Sequence, residues 1–209
     1  MSDALRTDEY SKTSYTYADY LEWEGQERYE LINGEAYMMA SPTVAHQRIL
    51  MGLSLQFGNW LSGKPCEVFS APLDVRLFPK KNRSDSTVVQ PDLLVVCTSR
   101  ASGVCNNFLT HDDRRESCDS NKLSNDSVNG SPDMVIEIFS ELDTYSYSLR
   151  KFACYLEAGV REYWIVDSET KKVIVNFLDN GYYIGTFYDK DASIPVSILP
   201  GLKISLKNL

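Results

Sequence analysis

Hydrophobic positions recur along the chain with two periods, and the places where the period changes outline the elements. From Thr43 to about Leu61 the apolar residues Ile49, Leu50, Leu53, Phe57 and Trp60 fall at helical spacing, with His46 one turn earlier on the same stripe. That pattern predicts an amphipathic helix. In RYELINGEAYMM, residues 28–39, two alternating runs flank Asn33-Gly34, a strong signal for a hairpin with a two-residue turn. Glu30, Ile32, Glu35 and Tyr37 then share one face, while Tyr29, Leu31, Ala36 and Met38 share the other, which is the expected core side. YTYADYLEW predicts a short helix capped by Thr16. Strands are predicted at CEVFSAPLDVRLF and VVQPDLLVVC, on either side of the polar loop KKNRSDS, and again at GSPDMVIEIFS and REYWIVD. A helix from about Thr144 to Ala158 stops at Gly159, which suits a left-handed cap. KKVIVNFLDNGYYIGTFY folds back at Asp179-Asn180-Gly181, and LPGLKISL is expected as an edge strand.

Two stretches lack a period. Residues 1–15 read as a polar arm, and residues 97–131, rich in Ser, Asn, Asp and Arg, read as an inserted polar surface loop. Cys97, Cys105, His111 and Cys118 in that loop are zinc-type donors but follow no recognised ligand spacing. With 209 residues, 43% of them hydrophobic, the remainder from 16 to 209 suits one domain. No apolar run approaches the ~18 residues of a membrane span, and MSDALRTDEY lacks the layout of a secretory signal, so no membrane partner and a cytoplasmic location are expected. Five scattered cysteines without a CxxC pair are expected to be reduced thiols, with Cys66 and Cys154 as packing residues. The net charge of −8 is the wrong sign for a broad basic surface, so a phosphate partner would have to be met locally.

Candidate chemistry begins with Glu137, one acid inside the apolar run Met-Val-Ile-Glu-Ile-Phe. A buried carboxylate needs a partner, a proton or a metal. QPDLLVV and SPDMVIEI both carry Pro-Asp at the head of an apolar strand, and if the two strands are neighbours, Asp92 and Glu137 can converge on one cation. Magnesium needs only one or two carboxylates plus water and phosphate oxygens, and such a site serves phosphodiester hydrolysis. A lysine normally completes it. Position 139 is Phe, and the nearest candidate is Lys151 on the following helix. Lys151 lies roughly opposite the stripe Leu149, Phe152, Leu156, as a solvated lysine would, yet Tyr147 and Tyr155 flank it at intervals of four.

The series YELINGEAYMMASPTVAHQRI, CEVFSAPLDVRL, QPDLLVV, GSPDMVIEIFS, KFACYLEAGVREYWIVD, DNGYYI and LPGLKISL resembles a large bacterial family described as restriction endonucleases, a branch of the PD-(D/E)XK nuclease superfamily. The resemblance runs from about Thr16 over nearly all the rest of the chain. It implies an α/β fold, with a restriction-endonuclease-like central mixed β-sheet flanked by helices and β-hairpin additions. It implies that Asp92 and Glu137 ligate Mg2+ or Mn2+, and that Lys151 is the motif lysine moved from strand to helix, which accounts for Phe139. Glu30 and Glu35 match acidic positions of the family, one of which helps to hold the metal or its water. His46 matches a family histidine, beside the plainer reading of a helix histidine packed at the sheet edge.

The chain also departs from the family pattern. Ser140-Glu141-Leu142-Asp143 stands where Ser-Pro-Ser-Thr is usual, and Tyr147 stands where an aspartate precedes the lysine by four. A segment of about 21 residues, Cys97 to Ser117, is inserted before the phrase Cys118-Asp119-Ser120-Asn121-Lys122-Leu123. The function implied is a magnesium-dependent endonuclease acting on nucleic acid, DNA foremost, with homodimerisation left open. The alternative is a catalytically silent relative that serves as a binding or assembly module.

Overall fold

The first helix, α1 (Tyr17–Tyr20), opens on a capping box: Thr16 N donates to Asp19 Oδ2 at 2.9 Å, and Asp19 N donates back to Thr16 Oγ1 at 3.4 Å. The structure is a computed structural model and describes residues 13–25, 27–97, 122–140 and 145–209. β1 (Tyr29–Ile32) and β2 (Glu35–Met38) form the expected hairpin, with Asn33 at φ 52° and Gly34 at φ 84°, the left-handed pair that a two-residue turn requires. α2 (Val44–Leu61) starts at Thr43, whose hydroxyl accepts from His46 N.

The two longest predicted strands are each divided. CEVFSAPLDVRLF becomes β3 (Cys66–Ser70) and β4 (Asp74–Arg76), and VVQPDLLVVC becomes β5 (Val88–Val89) and β6 (Leu93–Cys97). Pro72 and Pro91 stand at the breaks, where a residue without an N–H cannot extend a ladder. The chain continues as β7 (Ser127–Asn129), β8 (Met134–Phe139), α3 (Tyr145–Ala158), β9 (Glu162–Asp167), β10 (Val173–Asp179), β11 (Tyr182–Tyr188), β12 (Ile194–Pro195) and β13 (Lys203–Ile204).

At each proline the chain crosses between sheets. The result is a mixed α/β architecture with two mixed sheets, ordered β2-β1-β5-β4-β7 and β11-β10-β9-β8-β6-β3, instead of one central sheet. β4–β7 and β8–β9 are the parallel pairs. α2 packs Ile49, Leu53 and Phe57 onto one face of the six-stranded sheet, against Leu93, Val95, Met134, Ile136 and Trp164. On the other face Cys154 and Tyr155 of α3 join Leu94, Val96 and Val135 together with Ile32, Val75 and Val89 of the smaller sheet. That interleaving corrects the expected sidedness of the first hairpin: Leu31 is buried, but so are Glu30 and Ile32 on the face read as outward.

Other expectations change with the pairing. β13 pairs with β12 in a separate two-stranded sheet and is no edge of a larger one, while Leu202, Ile204 and Leu206 fill the core under α2. The register of β3 with β6 sets Cys66 opposite Cys97, and the two form a disulfide, so these cysteines are not the reduced thiols expected; Cys154 is free and buried. Within the stretch read as a loop, β7 forms a parallel pair with β4, and Leu123 bridges to Val128. Residues 1–12, most of the polar arm, and 98–121, with Cys105, His111 and Cys118, lie outside the described residues. Among the described residues no helix is long and apolar enough to cross a membrane.

Candidate active site

β6 and β8 run antiparallel with Leu93 opposite Ile136 and Leu94 opposite Val135. Carried one residue further, that register brings Asp92 opposite Glu137. The pairing of β6 with β8 begins at Leu93, and the Asp92 carboxylate turns toward the β8 backbone beyond it. Its Oδ2 accepts from Ile138 N at 2.7 Å, so a side chain satisfies this backbone donor. Its Oδ1 lies 3.0 Å from His46 Nε2, contributed by the first turn of α2 in the opposite layer. His46 Nδ1 is buried without a hydrogen-bond partner among the described residues.

Glu137 points to the α3 side with its neighbours Val135 and Leu94. Its Oε1 accepts from Tyr155 OH at 2.6 Å and meets Lys151 Nζ at 2.6 Å. The same ammonium lies 2.9 Å from Glu30 Oε1. Lys151 is only 2% exposed, which decides between its two sequence readings: it is no solvated surface residue. α3 is rotated from the stripe expected of its leucines, so that Leu149 faces solvent while Lys151, Cys154 and Tyr155 face inward. A buried ammonium is tolerated because two carboxylates repay its desolvation, whereas the leucine has no comparable need.

Glu30 is held from three sides. Gln90 N donates to Oε1 at 2.6 Å, Lys151 meets the same oxygen, and Tyr147 OH donates to Oε2. Tyr147 therefore supplies a donor where the family pattern has an acid, and its ring centroid lies 5.5 Å from Lys151 Nζ. Glu35, the other acidic candidate of the hairpin, stays outside this cluster. It accepts from Tyr37 OH at 2.6 Å, lies 3.7 Å from Arg150, and keeps an exposed side chain. Tyr37 in turn packs its ring against Tyr147 at 5.3 Å.

Asp133, the other Pro-Asp aspartate, is at the far end of the strand pair. It accepts from Cys97 N at 2.9 Å and lies 3.4 Å from Arg161, a structural tie. Sequence reasoning thus named Asp92, Glu137, Lys151, Glu30 and His46; the fold joins Glu30, Lys151 and Glu137 in one cluster and pairs His46 with Asp92 beside it. It missed the Gln90 amide, which no pattern encodes, and gave no task to Tyr155. Their spacing of four with Lys151 was the available signal for Tyr147 and Tyr155.

The electrostatics follow from two acids at one lysine, with Asp92 acting on Glu137 from further off. Burial pushes the Glu137 carboxyl up to about 8, with Asp92 and Glu30 adding to the effect and Lys151 opposing it. Burial disfavours the Lys151 ammonium, but Glu137 and Glu30 outweigh it and hold its pKa well above the ordinary lysine value. The Tyr155 hydroxyl is raised by burial and by Glu137, and so remains a donor. The cluster thus has a deficit of positive charge that a proton or a cation at Glu137 would relieve. Asp92 and Glu137 are oxygen donors of the type that a hard divalent ion takes, but both Asp92 oxygens are already engaged, by Ile138 N and His46 Nε2. Among the described residues no group of three or more His, Cys, Asp or Glu is placed to hold a metal ion.

Comparison with known proteins adds three findings. The profile of the Uma2 family, described as "Putative restriction endonuclease", matches residues 17–207. The "Uncharacterized protein slr1290" of Synechocystis sp. is 31% identical over 84 residues, which is 39% of this chain and 42% of that protein, so the chain matches less than half the length of this curated relative. The crystal structure of "a putative nuclease belonging to DUF820" from Anabaena variabilis superposes with a TM-score of 0.66 at 20% identity, covering 93% of this chain and 96% of that one. At that identity the likeness is one of fold.

Proposed function

The chain belongs to the Uma2 family of restriction-endonuclease relatives, and from that membership we propose that it is a metal-dependent endonuclease that hydrolyses phosphodiester bonds of nucleic acid, DNA foremost. The observation that carries the reading is the buried Lys151 ammonium 2.6 Å from Glu137 on β8, the strand that pairs with β6 one residue beyond Asp92. Asp92 and Glu137 would hold Mg2+ or Mn2+. When bound, such an ion acidifies water and offsets charge on the leaving oxygen.

The protein's own residues divide the remaining tasks. Lys151 brings a positive charge to the site and can donate to an attacking water or to a phosphate oxygen. Glu30, fixed by Gln90 N and Tyr147, sets where that ammonium stands. His46 and the Ile138 amide hold Asp92 with its oxygens in fixed directions. Tyr155 fixes Glu137 in the same way. With a net charge of −8, attraction to the phosphate backbone must come from this site and its immediate rim.

A second reading, a silent nuclease relative that binds or assembles, draws on one feature of the same cluster. Lys151 is already satisfied by two carboxylates. The test is nicking of supercoiled DNA, and of RNA, with magnesium or manganese. Activity that Glu137→Ala and Lys151→Met each lower by at least about a hundredfold, with cooperative unfolding retained, supports hydrolysis at this site. Equal rates in wild type and Glu137→Ala reject it, and no cleavage of either nucleic acid with either ion favours the silent reading.

A further inference from the structure

β11, Tyr182–Tyr188, ends the six-stranded sheet, and among the described residues no strand pairs with its outer side. Natural edge strands are blunted by charge, proline, bulges or shortness. The opposite edge, β3, carries the exposed Glu67 and is stapled to its neighbour at Cys66, and the edge β2 carries Glu35. β11 has none of these protections: YYIGTFY contains no charge and no proline, and its seven residues pair with β10 without a bulge. It also leaves Tyr182 74%, Ile184 56% and Phe187 78% exposed.

The backbone states which groups remain open. The two-residue turn at Asn180-Gly181 makes Asp179 and Tyr182 the first pair to exchange ladder bonds, and bonding then alternates along the strands. Leu178 N donates to Arg161 O at 2.9 Å, which confirms that even-numbered residues of β10 face β9 and odd-numbered ones face β11. On β11, Tyr182, Ile184, Thr186 and Tyr188 therefore bond inward. Tyr183, Gly185 and Phe187 direct their N–H and C=O outward.

These three residues are symmetric about Gly185. We infer that β11 is a self-association edge that pairs antiparallel with β11 of a second copy of this chain, about a two-fold axis at Gly185, and joins two sheets into one. Gly185 lies opposite itself, and Tyr183 lies opposite Phe187 of the second copy, so every outward donor meets an outward acceptor. The occupant is a second copy because that register satisfies all three residues from both sides while setting no charge against charge. With the exposed rings of Tyr182 and Phe187 from both copies each burying roughly 150 Å², the contact amounts to on the order of 600 Å², the size of a weak, transient interface. Association is therefore weak and concentration-dependent. Two chains of −8 also repel at long range, so added salt strengthens it.

Light scattering on a concentration series of the full chain, together with residue-resolved amide exchange, tests the pairing. The expected result is a twofold rise in mass with concentration and with salt, slow exchange at Tyr183, Gly185 and Phe187 in the dimer, and a return to monomer in Phe187→Lys. Phe187 is exposed, so that variant should keep the wild-type circular dichroism; Ile184→Lys is the second variant. Met51→Lys, on the exposed face of α2, should leave the dimer intact. A wild type that is monomeric at all concentrations, or a dimer that survives both β11 variants, overturns the inference. So does a dimer lost only in Met51→Lys. Slow exchange at those amides in a monomer would mean that the chain covers its own edge, and would overturn it as well.

Discussion

Lys151 shows how much one side chain depends on its neighbours. It is buried between Glu30 and Glu137, and its removal would leave both acids in a desolvated site without their shared cation. Lys151→Met should therefore cost about 3–5 kcal/mol of unfolding free energy, the range for breaking a buried pair from one side, measured by urea denaturation. Tyr147→Phe deletes one donor to Glu30 and leaves the ion pair, so its cost should be smaller, about 1–3 kcal/mol. Equal losses in the two variants would mean that the ammonium is not the anchor. The residue identities were legible: a lone acid in an apolar strand and a lysine between two tyrosines both stood out. Lys151 burial was not legible, because a lysine on a helix is ordinarily solvated and only the three-dimensional placement of Glu30 and Glu137 reverses that preference.

At the scale of elements, the small sheet is tied to its loop by Arg76 and Asp85. The guanidinium donates to Asp85 through Nε at 2.8 Å and Nη2 at 2.6 Å, and Lys80 N adds a third bond. Burial works against the Asp85 carboxylate, but Arg76 and the Lys80 amide outweigh it and hold its pKa below the usual aspartate value. A depressed carboxyl contributes stability that is present above its unfolded pKa and is lost as pH falls through its folded one. Asp85→Asn should therefore be less stable near neutral pH and should show a shallower acid-side loss, as read from midpoints between neutral and acidic buffers. An unchanged acid slope would contradict the assignment. The first hairpin offers a steric counterpart. Gly34 has φ 84°, and a Cβ built there would stand 2.1 Å from Ser14 Oγ, so Gly34→Ala should cost about 1–3 kcal/mol. Both hairpins were readable from Asn-Gly between alternating runs, since that turn depends on two residues only. The division of the long strands at Pro72 and Pro91 was not read, although proline marked each place, because an apolar run on both sides masked the change of sheet.

For the molecule as a whole, the disulfide between Cys66 and Cys97 closes a loop with a sequence separation of 31 and fastens the edge strand β3 to β6. In the chain-entropy account a closed loop of that size is worth about 3–4 kcal/mol. Reductant, or Cys66→Ser, should lower stability by that order, checked by chemical denaturation with and without reductant; no change would mean that the thiols are not paired. Deleting residues 98–117 tests the inserted segment, and a cooperative melt close to that of wild type is the expected outcome if the segment is no part of the core. The cysteine pairing could not be read along the chain, because it depends on register between two strands that the sequence places apart.

Local chemistry determined what the sequence announced: the turns, the helix caps, the apolar strands and the identities of Asp92, Glu137, Lys151, Glu30 and His46. Each of these depends on residues close together in the chain, or on a pattern held within a single element. Tertiary structure alone decided that Glu30 and not Glu35 would reach Lys151, that Tyr147 would stand in for a missing acid, and that Asp92 would turn to the Ile138 amide and His46. Those outcomes depend on distances between separate elements, set by how two sheets and two helices share their buried faces, and periodicity along a chain carries no record of such distances.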